Sequence, residues 1–574
     1  MARDPLSVAA AAVRAVADVQ PESARPALIG QLYEAELAPE ARSAGAHYTP
    51  VDVAERLVAL VIPEGELLMG AGGAPGTVWD PACGGGAFLL AAADALLRAG
   101  HPPDVIVGDM LWGTDMDPGA IAVTDAALRM WGNLHGVDIG PKSHLAVGDA
   151  LLDRSDEGPL ARARDGGFDV VIGNPPFQGQ MVGSSIRSGE TATDLRRRFG
   201  PDVVRPYTDT SALFLVAGAE ALAPGGRLLM ILPTSVLAAR DASAARDAAV
   251  TAAGLTGLWV ATELVFDAFV QVCAVVLERS AKAAPRPQQP AVRRWRGRSV
   301  ELLPSADGHT LIGTIAATAA TEDLPGEAAS RWAPYALAAV GVPDPTIRWS
   351  GRLGSLGTAR AGFRDEYYGL VGHVSEAPED VVDIDEVPAG YAPLVTSGLI
   401  DPGRCWWGER TVVFARARYQ RPVVDRAGVA DGGGRAASWA AGLAVPKVVV
   451  ATQTRVGEAA VDLAGTWLAS TPTVAVIADP ARLWEIAAVV CSPVGSVVAL
   501  ALTAGSARSL VAIRHRVSSV SALPLPIDRD AWLAGSDALQ RGDQSSFAEA
   551  MAAAYAVEAP GELEAWWTAA APWP

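Results

Sequence analysis

The chain has 574 residues, half of them hydrophobic, and a formal net charge of −18 at pH 7. That length exceeds a single compact unit and predicts two or three domains, each with ample apolar material for a core. The four cysteines, Cys83, Cys273, Cys405 and Cys491, lie far apart with no Cys-x-x-Cys pair, which argues against a zinc site or a disulfide framework; no apolar run is long enough to span a bilayer, and an N-terminus with Arg and Asp scattered through its alanines lacks a signal-peptide pattern, so a cytoplasmic protein with no membrane partner is expected.

Residues 1–42 read as two short helices, alanine-rich, with leucines at helical spacing around Ile29, Leu32 and Leu37 and no side chain that points to a specific chemistry. From 43 to 280, short apolar strands alternate with alanine-rich helices, the pattern of an α/β fold: an open, mostly parallel sheet with helices on both faces. Ligands of such sheets sit at the carboxyl ends of the strands. Val78-Trp79-Asp80-Pro81-Ala82-Cys83-Gly84-Gly85-Gly86-Ala87-Phe88 has the grammar of strand, glycine turn and helix, in which glycines let the backbone approach a ligand and a helix N-terminus offers free N–H groups. Cys83 inside it is expected to pack as a small apolar residue. Gly113-Thr114-Asp115-Met116-Asp117-Pro118 and Gly148-Asp149-Ala150-Leu151 end two further strands.

Phe168-Asp169-Val170-Val171-Ile172-Gly173 is a buried strand cut short by Asn174-Pro175-Pro176-Phe177. Two consecutive prolines lack N–H groups and have fixed φ, so the chain leaves the sheet as a stiff extended corner. The carboxamide oxygen of Asn174 and the backbone carbonyl of Pro175 then form two acceptors beside the flat face of Phe177, a seat for a planar exocyclic amino group. Binding both hydrogens of such a group favours its pyramidal, more nucleophilic form. Residues 178–208 are polar and irregular, with Arg187, Arg196, Arg197, Arg198 and Arg205, and read as a loop that clamps a nucleic-acid backbone. A helix over 211–223 carrying Phe214, a strand over 227–233 and a turn and strand over 264–277 complete this part.

Taken together these stretches resemble the amino-methylating DNA methyltransferases, whose cofactor signature Asp-Pro-Ala-Cys-Gly-Ser-Gly-x-Phe differs from residues 80–88 only by Gly85 in place of Ser. The resemblance implies a Rossmann-like methyltransferase domain over 43–280 that binds S-adenosyl-L-methionine and methylates adenine N6 in double-stranded DNA by base flipping, without a metal. Its implied cofactor site comprises His47, Tyr48, Thr49 and Pro50, with His47 where a second Tyr is usual, then Asp80, Pro81, Ala82, Cys83, Gly84, Gly86 and Phe88. Asp115, with Met116, would accept from the ribose hydroxyls, and Asp149, with Ala150, would read the cofactor's adenine. Asn174, Pro175, Pro176 and Phe177 would form the catalytic corner, the target base stacking on Phe177. Phe266 and Phe269 both fit the role of closing the other side of the base, and Phe266 is preferred. Cofactor motifs first, catalysis second and recognition last matches the gamma arrangement of the family, and restriction-modification or phage defence is the implied setting.

Residues 281–345 are a proline-broken connecting region, 346–528 turn to strands and glycine turns, and 529–574 read as helices around Trp532, Phe547, Trp566 and Trp567. The middle segment resembles a target-recognition domain of α+β type, ending at Leu523-Pro524-Leu525-Pro526, with Arg404, Trp406, Trp407, Arg410, Gln453 and Arg455 as candidates to read or stack on bases. Net charge is −14 over 1–280, +1 over 281–460 and −5 over 461–574. Phosphate affinity follows local cation density, so clusters such as Arg293, Arg294, Arg296 and Arg298 or Arg416, Arg418 and Arg421 keep a DNA partner open, and a basic partner subunit is the alternative.

A fused nuclease of the carboxylate-x-lysine kind is not expected, because the residues two before the three lysines are Gly140, Ser280 and Val445. No Pro-Cys dipeptide supplies a cytosine-C5 nucleophile. Cytosine N4, structured RNA and protein glutamine are rival acceptors for the same corner. A cofactor-binding subunit that needs a partner for activity is the rival of another class.

Overall fold

The computed structural model of the protein describes residues 4–36, 49–138, 144–153, 155–177, 189–237, 239–261, 265, 271–281, 292–296, 301–306, 332–362, 364–504, 509 and 511–573. They form two units: the described residues up to 306 together with 332–340, and those from 341 onward.

Runs of valine, leucine and isoleucine too short for helices build the sheet of the first unit. Its strands are β1 (Val78–Asp80), β2 (Leu111–Asp115), β3 (His144–Val147), β4 (Phe168–Gly173), β5 (Leu222–Pro233), β6 (Gly254–Val260), β7 (Val272–Glu278), β8 (Val292–Arg296) and β9 (Glu301–Ala306). They are ordered β3-β2-β1-β4-β5-β7-β6-β8-β9. The first five are mutually parallel, and β7 runs antiparallel between β5 and β6. β4 and β7 are buried almost throughout, which is why they read as continuous apolar runs and not as alternating ones. Strand order reverses where Trp79 of β1 lies beside Val171 of β4. A reversal of this kind opens a crevice at the carboxyl ends of the strands.

The same unit holds helices α1 (Pro5–Val16), α2 (Arg25–Glu36), α3 (Val51–Val58), α4 (Ala87–Ala99), α5 (Pro118–Leu134), α6 (Gly189–Phe199) and α7 (Thr210–Glu220), of which α2, α4 and α7 line the cavity described below. Aspartates start three of them: Asp4, Asp117 and Asp209 each accept a backbone N–H of the first turn. Val8 of α1, Ile29 and Tyr33 of α2 and Val123, Ala127 and Trp131 of α5 share one core with Val78, Val170 and Ile172. Residues 189–199 are helical, where their polar composition reads as loop. Leu195 anchors the helix in the core, and Arg196, Arg197 and Arg198 occupy the last turn, where cations suit the helix dipole. Arg197 pairs with Asp194 at 2.5 Å and Arg198 with Glu220 at 2.5 Å, so two of the arginines expected to clamp a backbone are neutralised within the unit. Residues 178–188, with Arg187, lie outside the described residues.

The second unit is α+β. One antiparallel sheet runs Gly357–Ala361, Thr473–Ala478, Lys447–Ala451, Ala459–Asp462, and another is centred on Tyr391–Val395 and Pro422–Asp425. Helices Leu483–Cys491, Pro493–Thr503, Arg529–Arg541, Gln544–Ala554 and Pro560–Ala570 complete it. Among the described residues no single helix is long and apolar enough to cross a membrane, and the apolar pair Pro480–Cys491 and Pro493–Thr503 is bent by 65°. The helical parts of that pair lie largely in the buried core.

One ion pair of this unit is fully buried. Lys447 donates to the Asp462 carboxylate with both side chains fully buried. Asp462 also accepts the backbone N–H groups of Gly465 (2.7 Å), Thr466 (3.2 Å) and Trp467 (2.9 Å), so the pair clamps a turn. Burial holds the Lys447 ammonium below its ordinary range. Asp462→Ala strands that ammonium and is expected to cost about 3–5 kcal/mol in urea unfolding. Lys447→Met leaves Asp462 with three N–H donors and is expected to cost less; equal losses would contradict this account of the pair.

Candidate active site

A cavity of about 170 Å³ opens at the carboxyl ends of β1, β2 and β4. The glycine turn after β1 forms its floor. Asp80 Oδ1 accepts the Ala82 N–H at 3.0 Å, Gly84 (φ 50°) and Gly86 (φ 85°) bend the backbone through the left-handed region, and α4 starts at Ala87 with no side-chain cap. An uncapped helix start keeps backbone donors for a ligand.

Two acidic side chains grip successive N–H groups of that turn. Asp115, at the end of β2, accepts from Gly84 N–H at 2.9 Å through Oδ2 and from Asp117 N–H at 2.9 Å through Oδ1. From α2, Glu34 Oε1 accepts the Gly85 N–H at 3.2 Å, while Glu34 Oε2 is buried without a hydrogen-bond partner. Glu34, Asp80 and Asp115 all line the cavity. Burial pushes the Glu34 carboxyl up to about 7 and the Asp80 carboxyl up to about 8, the N–H donors oppose the rise, and the charge of Asp115 adds to it in both. Burial raises Asp115 as well. Among the described residues no His, Cys, Asp and Glu side chains group so as to hold a metal ion. Burial also lifts the Cys83 thiol well above its ordinary range, which suits packing and not thiolate chemistry.

The corner after β4 closes another wall. From Val170 to Gly173, opposite Met230, β4 pairs with β5 in one register, and the chain then leaves through Asn174 and the two prolines. Asn174 Nδ2 donates to Thr49 Oγ1 at 3.1 Å. Thr49 is buried and immediately precedes Pro50, whose carbonyl starts α3 by accepting from Val53 and Ala54. With its NH2 end on a hydroxyl, the amide turns its carbonyl end away from Thr49. A Cβ on Gly173 would lie 3.0 Å from Asp80 Oδ1, so the corner and the glycine turn are in close contact.

Of the residues named from the sequence, Thr49, Asp80, Pro81, Ala82, Cys83, Gly84, Phe88, Asp115, Met116, Ala150, Asn174 and Pro176 line this one cavity. Pro50, Gly86, Asp149, Pro175 and Phe177 do not. Asp149 turns its Oδ1 to the Leu151 N–H at 2.8 Å, while its neighbours Gly148 and Ala150 face the cavity. Phe177 is half-buried against the core of the unit. His47, Tyr48, Phe266 and Phe269 lie outside the described residues. Phe214, from α7, is buried and lines the cavity. Glu34 is a cavity-lining position that the sequence hides, because a glutamate among Tyr33, Ala35 and Glu36 reads as a solvated helix face. Gly30, one turn earlier in an otherwise good helix, is the available signal of close approach.

In the second unit, Arg404 lies over the Trp406 ring at 3.7 Å and Arg410 at 5.1 Å. Arg404 pairs with Glu409 (2.9 Å), Arg410 with Asp401 (2.8 Å) and Arg421 with Glu376 (3.7 Å). Trp407 is buried, its Nε1 donating to the Pro422 carbonyl at 2.8 Å. Gln453 and Arg455 are exposed. A short hairpin joins Val412–Phe414 to Ala417–Tyr419 through Ala415 (φ 48°) and Arg416 (φ 70°), both left-handed without being glycine. Arg416 and Arg418 are exposed on it, and among the described residues no acidic side chain pairs with either.

Residues 25–290 match the family model described as N-6 DNA Methylase. The type I restriction enzyme MjaIX methylase subunit of Methanocaldococcus jannaschii is 24% identical over 218 residues, 37% of this chain and 34% of that protein. The type II methyltransferase M.BanIII of Aneurinibacillus aneurinilyticus is 29% identical over 207 residues, 34% of this chain and 32% of that protein. The protein thus spans about a third of the length of these relatives. Among solved structures, the Type IIL restriction-modification enzyme MmeI, determined in complex with DNA, is similar in fold with a TM-score of 0.55 and 15% identity, over 95% of this chain and 78% of that one.

The Asp80 carboxyl carries a testable signature. It titrates near 3.8 when unfolded and near 8 in the fold, so between those values the folded protein holds a proton that the unfolded protein has lost, and stability falls as pH rises. Asp80→Asn keeps an acceptor for Ala82 and removes the penalty. Calorimetric melting should show the variant above the wild type at pH 8, with the gap closing towards pH 4. A gap that does not change with pH would remove Asp80 from this role.

Proposed function

We propose, for a protein whose residues 25–290 match the N-6 DNA methylase family model, that it transfers the methyl group of S-adenosylmethionine to the N6 amino group of adenine in a specific double-stranded DNA sequence, within a restriction-modification or phage-defence system. The observation that carries this reading is convergence: the glycine turn of β1, Asp115 of β2, Gly148 and Ala150 after β3, Asn174 and Pro176 after β4, and Thr49 before α3 all meet in one cavity.

The residues fit that cofactor. Carboxylates raised by burial suit a ligand that brings both positive charge and hydroxyl donors. Gly84 and Gly85 let backbone reach it, and Phe88, Met116 and Phe214 supply apolar wall. When bound, the cofactor supplies an electrophilic methyl group on a positively charged sulfur.

Asn174 and Pro175 present carbonyl acceptors to the amino hydrogens of an extruded adenine, and Thr49 holds the Asn174 amide so that its oxygen, not its NH2, faces the acceptor base. As the N–C bond forms, positive charge develops on the nitrogen between two carbonyl dipoles, and one amino proton then leaves to water. Phe177 and Phe266 would flank the base, whose extrusion costs a few kcal/mol. Asp149, with Ala150, remains the proposed contact to the cofactor's adenine. The second unit is proposed to contact DNA through local cations in spite of the acidic total, with the exposed Arg416 and Arg418 as the contacts.

Asn174→Ala is expected to lower transfer of tritiated methyl to DNA at least about 100-fold while leaving S-adenosylhomocysteine binding nearly unchanged by calorimetry. Parallel loss of both would remove Asn174 from the chemistry. The double variant Arg416→Ala, Arg418→Ala is expected to reduce the slope of log DNA affinity against log salt by about 2, with melting unchanged. An unchanged slope would exclude the hairpin from the DNA contact.

A further inference from the structure

Glu34 is a cavity-lining side chain that the reading above leaves without a task. It comes from α2, outside the strand-end motifs, and it is held on two counts. Tyr33 beside it donates to the Asp117 carboxylate at 2.5 Å, and Gly30 one turn earlier packs backbone against backbone on Gly85. One carboxylate oxygen of this cavity-lining side chain is engaged by Gly85 N–H; the other is buried and has no partner. A buried acceptor left in that state is costly unless a ligand completes it.

The position narrows the ligand group. Glu34 and Asp115 receive adjacent N–H groups of the same turn, from Gly85 and Gly84. Asp80 lies on the other side, against Gly173 and the corner where transfer would occur. Asp80 holds the Ala82 N–H at the start of the turn, whereas Asp115 and Glu34 hold those of Gly84 and Gly85 at its end towards α4. The sulfonium end therefore belongs near Asp80 and Asn174, and Glu34 marks the far flank. Two neighbouring carboxylates do not both require cations there. Two neighbouring hydroxyl donors satisfy them, one each.

We infer that Glu34 is a second ribose acceptor, sharing the vicinal diol of S-adenosylmethionine with Asp115, one hydroxyl to each carboxylate. This rests on the cofactor reading above. Glu34→Gln keeps an oxygen for Gly85 but puts a donor where the unpartnered acceptor stands.

The test is calorimetric binding of S-adenosylhomocysteine, its 2′-deoxy and 3′-deoxy analogues, and 5′-methylthioadenosine, which keeps the ribose and lacks the amino-acid end, to wild type and Glu34→Gln, with melting curves to establish that both are folded. Expected is a loss of about tenfold or more for S-adenosylhomocysteine and for methylthioadenosine, and little or no loss for one of the two deoxy analogues. Equal affinity of variant and wild type for S-adenosylhomocysteine overturns the inference, as does the same loss with every ligand. Loss confined to S-adenosylhomocysteine and its deoxy analogues overturns it in favour of the ammonium. A wild type that binds none of the four overturns the cofactor reading itself, a result that Glu34→Gln cannot produce.

Discussion

The site depends on a contact between two backbones. A Cβ on Gly30 would lie 2.5 Å from the Gly85 carbonyl oxygen, and a Cβ on Gly85 would lie 2.7 Å from Gly30 Cα. Neither distance accommodates a side chain, so the glycines allow α2 to lie directly on the turn after β1. From that approach follow the reach of Glu34 to Gly85 and the anchoring of Tyr33 on Asp117. Residues far apart in sequence become one wall because two side chains are missing.

The electrostatics of the pocket follow from that tightness. Removing water raises Glu34, Asp80 and Asp115 towards protonation, and the charge of Asp115 adds to the rise of the other two. The free protein thus carries an unfavourable arrangement, one that a ligand with positive charge and hydroxyl donors would relieve. Backbone N–H groups of Ala82, Gly84, Gly85 and Asp117 limit the penalty by holding one oxygen or more of each carboxylate in place. The cost is in stability, and the return is a preorganised set of acceptors.

Much of this was legible in the sequence where local chemistry dictates structure. The glycine turn, the proline corner and Asp115 at the end of β2 are short-range devices, and they come together at the crevice where β1 meets β4. The mostly parallel sheet likewise follows from apolar runs alternating with helices. What escaped were effects of partners distant in sequence. Glu34 gains its place only because α2 packs on a turn some fifty residues later. Residues 189–199 are helical in spite of their polarity because Leu195 finds the core and acidic partners neutralise Arg197 and Arg198. In the second unit, Arg404, Arg410 and Arg421 look like a basic patch until Glu409, Asp401 and Glu376 are found beside them.

The hairpin at Ala415 and Arg416 has an evolutionary implication. Its ladder is written by Val412 opposite Tyr419, Val413 opposite Arg418 and Phe414 opposite Ala417, none of which is at the tip. Left-handed backbone at a non-glycine residue costs on the order of 1–3 kcal/mol. Exchanging either tip residue for glycine or asparagine therefore relaxes the turn without disturbing its rungs, so variants there are tolerated by folding. A lineage could rewrite what this finger presents to a partner while inheriting the rest of the unit intact.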